Sequence, residues 1–165
     1  MAETVWGRRG AVKLASLWLP LAFIVSTSRL TPGRTAWLEC LRVFAVLFCW
    51  SSFSILANDL ADRPVDAAAG KRRLLGQLPA GVGRAVVASL AVAGVLIMLW
   101  GGTTGGALAA YSAALLLAFL YSVKPFRLKA RGWAGLLTYS LSCAVAYVAV
   151  PWAWLGAGWS VLAVL

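Results

Sequence analysis

Asn58-Asp59-Leu60-Ala61-Asp62-Arg63-Pro64-Val65-Asp66 holds three of the chain's five acidic residues, and it lies where a long apolar run meets a basic segment. At about 100° per residue, an ideal helix places Asp59, Asp62 and Asp66 within about 60° of arc, with Asn58 at the near edge of the same sector. Three carboxylates on one face repel one another and resist leaving water, so they require a counter-charge. For a ring of hard oxygen ligands the natural one is Mg²⁺, which completes its shell with water and phosphate oxygens, so a phosphate or diphosphate ligand is expected. Pro64 bears on this arc: it removes one helical hydrogen bond and disfavours helix at Arg63, so the helix either ends near Asp62 or restarts at Pro64. Asp66 is the carboxylate whose direction this leaves least defined.

The rest of the chain sets the medium. Its 165 residues are 62% hydrophobic and only 12% charged, and the mean hydropathy is +0.85. These values describe a multi-pass membrane protein of one domain spanning 1–165. A formal net charge of +10 would point to nucleic acid in a soluble protein. Here the basic residues fall in short segments between apolar runs, where they set topology and meet anionic headgroups or phosphates, so nucleic acid is not an expected partner. Cys40, Cys49 and Cys143 are isolated in apolar surroundings and read as small apolar fillers. The chain has no histidine, so any catalysis rests on carboxylates, lysines, tyrosines or a bound ion.

Taken in order, the chain predicts an all-α transmembrane bundle of about five spans plus the start of a sixth. A basic lead with Arg8, Arg9 and Lys13 precedes a first span over 14–28, interrupted near Pro20. The Arg8-Arg9 pair is not read as an export signal, because no small-residue cleavage site follows. The second span is expected over 36–57, the third over 85–100, the fourth over 107–123 and the fifth over 133–154, with an apolar start of a sixth after Gly156. Glu39 and Arg42, three apart in the second span, are placed to pair on one helix face. Segment 67–84 reads as a loop with room for a short surface helix. All lysines and arginines except Arg29, Arg34 and Arg42 fall in the lead, in or just after the acidic motif, or after the fourth span. The positive-inside rule then puts the N-terminus, the acidic motif and both basic segments in the cytoplasm, with the chain in a cell (inner) membrane.

With these pieces placed, the chain resembles the UbiA-type superfamily of intramembrane prenyltransferases. Three stretches carry the resemblance: Asn58-Asp59-x-x-Asp62-x-x-x-Asp66 at the end of the second span, the Ala-Ala-Gly-Lys-Arg-Arg of 68–73, and Tyr121-Ser122-Val123-Lys124-Pro125-Phe126-Arg127-Leu128-Lys129 closing the fourth span. The resemblance implies the N-terminal part of a nine-helix bundle whose central cavity opens to the cytoplasm and sideways into lipid. It also implies Mg²⁺-dependent transfer of an isoprenoid from a prenyl diphosphate to a lipophilic, often aromatic, acceptor. By this analogy Asn58, Asp62 and Asp66 hold the metal and its diphosphate, with Asp59 in support. Lys71, Arg72, Tyr121, Lys124, Arg127 and Lys129 bind the diphosphate.

The chain departs from the family in two places. Lys124 follows Tyr121 by three residues where many members place a lysine four residues on, and here Pro125 takes that fourth place. No acidic residue follows Asp66, so the family's second aspartate-rich motif is absent from this sequence. The expectation is therefore a truncated or split prenyltransferase that a C-terminal half or partner chain completes. The alternative is a non-catalytic membrane subunit or remnant of the family. A cation transporter ranks last, since transporters place carboxylates near the bilayer midplane rather than at a membrane end.

Overall fold

The computed structural model describes residues 34–71 and 75–156. The lead, the first span over 14–28, Arg72, Arg73 and the apolar segment after Gly156 lie outside the described residues. Within them the chain is helical, with no strand. Four helical stretches are long and apolar enough to cross a membrane: Thr35–Ala61, Ala80–Trp100, Gly105–Ser122 and Trp133–Leu155. They correspond to the four expected spans after the first.

Helix α1 (Arg34–Ala61) is the hub. Its apolar window is the most deeply enclosed of the four spans, and it packs against α3 (Ala80–Trp100) and α4 (Gly105–Ser122). A short α2 (Arg63–Ala68) follows it. Helix α4 in turn packs on the last span, which consists of α5 (Trp133–Ala144), a π-helical turn at Val145–Ala149 and α6 (Val150–Leu155). Val46, Trp50, Met98, Tyr111, Ala146 and Val150 meet in the main core. The other helix faces carry Leu96, Leu99, Leu116, Leu137 and Leu141 outward, as a bundle surrounded by lipid requires.

Small residues set the helix spacing. Gly83 lets α3 approach the end of α1, where a Cβ would stand 3.2 Å from Leu60 Cδ1, and Gly94 admits the Tyr111 ring between α3 and α4. The π turn has a local cause in Pro151, which lacks an N–H and whose ring would clash with the carbonyl four residues back, so one turn opens to take an extra residue. Tyr147 in that turn shares a hydrogen bond with Ser51 at 3.1 Å and meets Trp50 edge-on at 5.1 Å.

The end of the bundle that begins α1 is tied by a second polar group. Glu39 and Arg42 form their ion pair, as the spacing predicted, and Trp154 Nε1 donates to the other Glu39 oxygen at 3.0 Å. Thr104 caps α4, its hydroxyl accepting from the Ala107 N–H, and donates to the Ala153 carbonyl at 3.0 Å. One carboxylate thus links α1 to α6, and one threonine links α4 to the same strand of helix.

Candidate functional site: an acidic helix end under a basic turn

The acidic motif is delivered by the last turn of α1 and by α2. The break that Pro64 predicted is present: α1 ends at Ala61, α2 starts at Arg63, and Asp62 between them sits at φ −92°, ψ 0°. The hydrogen bonds nevertheless continue across it, Asp62 N–H to Asn58 C=O at 3.0 Å and Asp66 N–H to Asp62 C=O at 2.8 Å. The kink is therefore mild. Arg63 holds it by donating to the Leu78 carbonyl, just before α3.

The basic segment comes from the link between α4 and α5. It begins with a cis Lys124–Pro125 peptide. Arg127 then takes a left-handed conformation (φ 38°, ψ 54°), costly for a residue with a side chain. The surrounding turn holds it there: Arg127 N–H donates to Val123 C=O at 2.9 Å, and Ala130 N–H donates back to Arg127 C=O at 3.0 Å. A 3₁₀ turn at Leu128–Ala130 follows, seated on α5 over Gly135.

These two segments meet. Arg127 Nη2 donates to Asp62 Oδ1 at 2.9 Å. Lys129 Nζ donates to Asp62 Oδ2 and, at 2.6 Å, to Asn58 Oδ1. The side chains are partly enclosed, Lys129 at 14% exposure, Asp62 at 21% and Arg127 at 29%. Screening by water is correspondingly reduced, so these contacts are worth more than surface ion pairs. One carboxylate faces two cations, which leaves the cluster with one net positive charge. Arg127 Nε is buried without a hydrogen-bond partner. A buried donor without an acceptor is expensive, and an anion beside it would remove that cost.

The other expected site residues are placed as follows. Asp66 faces Lys71 at 3.9 Å, with Lys71 largely in solvent. Asp59 is partly buried and engaged. Tyr121 stacks at a tilt on Tyr139, ring centres 5.7 Å apart. Lys124 is exposed and makes no polar contact among the described residues. The left-handed turn at Arg127 therefore divides the basic segment, with Arg127 and Lys129 directed at the acidic helix end and Lys124 outward. Arg72 lies outside the described residues.

Among the described residues no three acidic or cysteine side chains gather as a metal cage. The donor chemistry still suits Mg²⁺, which needs one or two protein oxygens when water and phosphate supply the rest. Asn58 Oδ1 and the two Asp62 oxygens are such donors, each retaining a lone pair beyond its present hydrogen bond.

Sequence reasoning did not single out Gly135, which sets where the basic turn rests. A Cβ there would stand 2.8 Å from both the Leu128 carbonyl oxygen and Lys129 Cα, and these are backbone atoms that cannot swing aside. Gly135→Ala is expected to lower stability by about 2 kcal/mol through this overpacking. Thermal unfolding in detergent measures it, and an unchanged midpoint would show that the turn yields freely.

Comparison with protein-family models, curated proteins and solved structures finds no match to this chain.

Proposed function

We propose that the chain binds the diphosphate end of a prenyl diphosphate at Asn58, Asp62, Arg127 and Lys129, and that it serves as a UbiA-type prenyltransferase with Mg²⁺ as cofactor. The observation that carries this reading is the meeting of the acidic helix end with the basic turn, which leaves a net positive charge and an unpartnered Arg127 Nε. Such a group accepts a multiply charged phosphate and supplies oxygen donors for its counter-ion. The helices that carry it are apolar and expose apolar faces, so one molecule carrying both a diphosphate and an isoprenoid suits both surroundings.

In the transfer, the bond between the allylic carbon and the diphosphate oxygen breaks, and its electron pair leaves with the diphosphate. Lys129 and Arg127 donate hydrogen bonds to that departing charge in a partly enclosed site, where they are most effective. Asp62 orients both cations beforehand. The acceptor then forms the new bond to the allylic carbon and releases a proton. Bound Mg²⁺ supplies further neutralisation of the leaving diphosphate. The distribution of lysine and arginine supports placing this end at the cytoplasmic face.

Calorimetric titration of the purified chain with geranyl thiolodiphosphate, which resists ionisation, tests the reading. Binding is expected with Mg²⁺ present and to weaken at least about tenfold once the metal is chelated, the loss of one charge-assisted contact or more. Absence of binding under both conditions would overturn it. That result would favour the second reading, a non-catalytic membrane subunit, for which the specific support is that each Asp62 oxygen already pairs with a cation of the chain itself.

A further inference from the structure

We infer that the opposite end of the bundle carries a site for a zwitterionic phospholipid headgroup, one bearing a phosphate and a primary amine. Glu39 precedes Asp62 on the same helical path by about 34 Å of rise, roughly the thickness of a bilayer core. A recess of about 210 Å³ opens beside it, lined by the Gly101–Thr104 turn, Trp154 and Leu155. This site stands independently of the prenyl diphosphate reading.

Two donors at this end lack acceptors. Thr103 Oγ1 lines the recess and is buried without a hydrogen-bond partner. Arg42 uses one guanidinium N–H on Glu39, and its remaining donors have no acceptor among the described residues. The Arg42 guanidinium lies over the Trp100 ring, 5.5 Å from its centre, which covers one face and leaves its edges for a ligand. Each Glu39 oxygen accepts one hydrogen bond, from Arg42 or from Trp154, and retains a lone pair for another.

Charge decides the ligand class. Glu39 and Arg42 sum to zero, so a simple anion meets the carboxylate and a simple cation meets the guanidinium. A headgroup with both signs matches each: phosphate oxygens accept from Arg42 and Thr103, and an ammonium N–H donates to Glu39. A primary amine suits this better than a quaternary one, which has no N–H to give. Trp100 is 80% exposed at the same level, where tryptophans settle at the headgroup boundary.

The test is native mass spectrometry of the full chain, released from micelles holding equal amounts of phosphatidylethanolamine, phosphatidylcholine and phosphatidylglycerol with identical acyl chains. Phosphatidylethanolamine is expected to be retained about fivefold over the other two, the effect of about one net hydrogen bond. Glu39→Gln, which keeps the side chain's shape and an acceptor for Trp154 but removes the charge that faces the amine, is expected to reduce that preference by at least about threefold. Thr103→Val, which preserves shape and leaves the Glu39, Arg42 and Trp154 contacts intact, removes a donor to the phosphate that all three lipids share, so it is expected to lower retention of all three by at least about threefold without changing their ranking. Equal retention of the three lipids, a preference for phosphatidylglycerol, an unchanged preference in Glu39→Gln, or unchanged retention in Thr103→Val would each overturn the inference.

Discussion

Asp62→Ala is expected to cost about 3 kcal/mol of prenyl diphosphate affinity, about a hundredfold, read by titration with geranyl thiolodiphosphate and Mg²⁺. The side chain has two roles in the proposed site: it supplies oxygens for the metal, and it holds both cations in place. Asp62→Asn keeps the shape but not the charge, so it is expected to fall between wild type and Asp62→Ala. The cations themselves should rank by enclosure. Lys129 is the more enclosed and bonds both Asn58 and Asp62, so Lys129→Gln is expected to weaken binding more than Arg127→Gln. Lys124→Gln should have little effect, and that effect should fade as salt is added, since Lys124 is exposed and screened. If Asp62→Ala binds like wild type, the cluster is not the diphosphate site, whatever its role in folding.

Gly94→Ala is expected to be the most destabilising of the single-atom additions in this fold. Its Cβ would lie 1.9 Å from Tyr111 Oη and 2.5 Å from Cζ, and Tyr111 is fully buried. Overpacking of this kind costs about 3 kcal/mol when neither side can retreat. Tyr111 Oη also has no hydrogen-bond partner, so Tyr111→Phe removes an unsatisfied buried hydroxyl and is expected to hold stability or raise it by about 1 kcal/mol. Combined, Tyr111→Phe should recover part of the Gly94→Ala loss, since the Oη contact disappears while the Cζ contact persists. Unfolding midpoints of the four proteins in one detergent give the coupling directly. Simple additivity would show that α3 and α4 separate to make room.

Much of the helical framework was legible because apolar run length in a membrane chain is nearly a structural statement. The expected third span began at Ala85, whereas α3 begins at Ala80. The early turn was hidden by Gly81 and Gly83, which read as loop residues by composition, although Gly83 serves here to bring α3 onto Leu60. In the same way the second span was expected to end at Ala57, while α1 carries Asn58 to Ala61 in its last turn. Polar residues that leave lipid can stay helical. The break at Asp62 was readable from Pro64 alone.

The site was legible in its parts and not in its assembly. Asn58, Asp62, Arg127 and Lys129 stand out by type and by the resemblance, but no local pattern says that Lys129 reaches across to Asn58 while Lys124 points away. That division follows from the left-handed turn at Arg127, a conformation the residue type disfavours. The Glu39 to Arg42 pair was readable from its spacing on one helix. Its third member, Trp154, belongs to a distant span and became visible only with the helices packed.

The widened turn ahead of Pro151 has a consequence for the whole final span. Its inward positions Thr138, Ser142, Ala146 and Val150 recur every four residues, and in a regular α-helix such a series rotates by about 40° at each step. A turn that accommodates one more residue cancels part of that rotation and keeps the seam straight along α4. The ring of one proline thereby governs the azimuth at which the last indole arrives, about 30 Å from where the span begins.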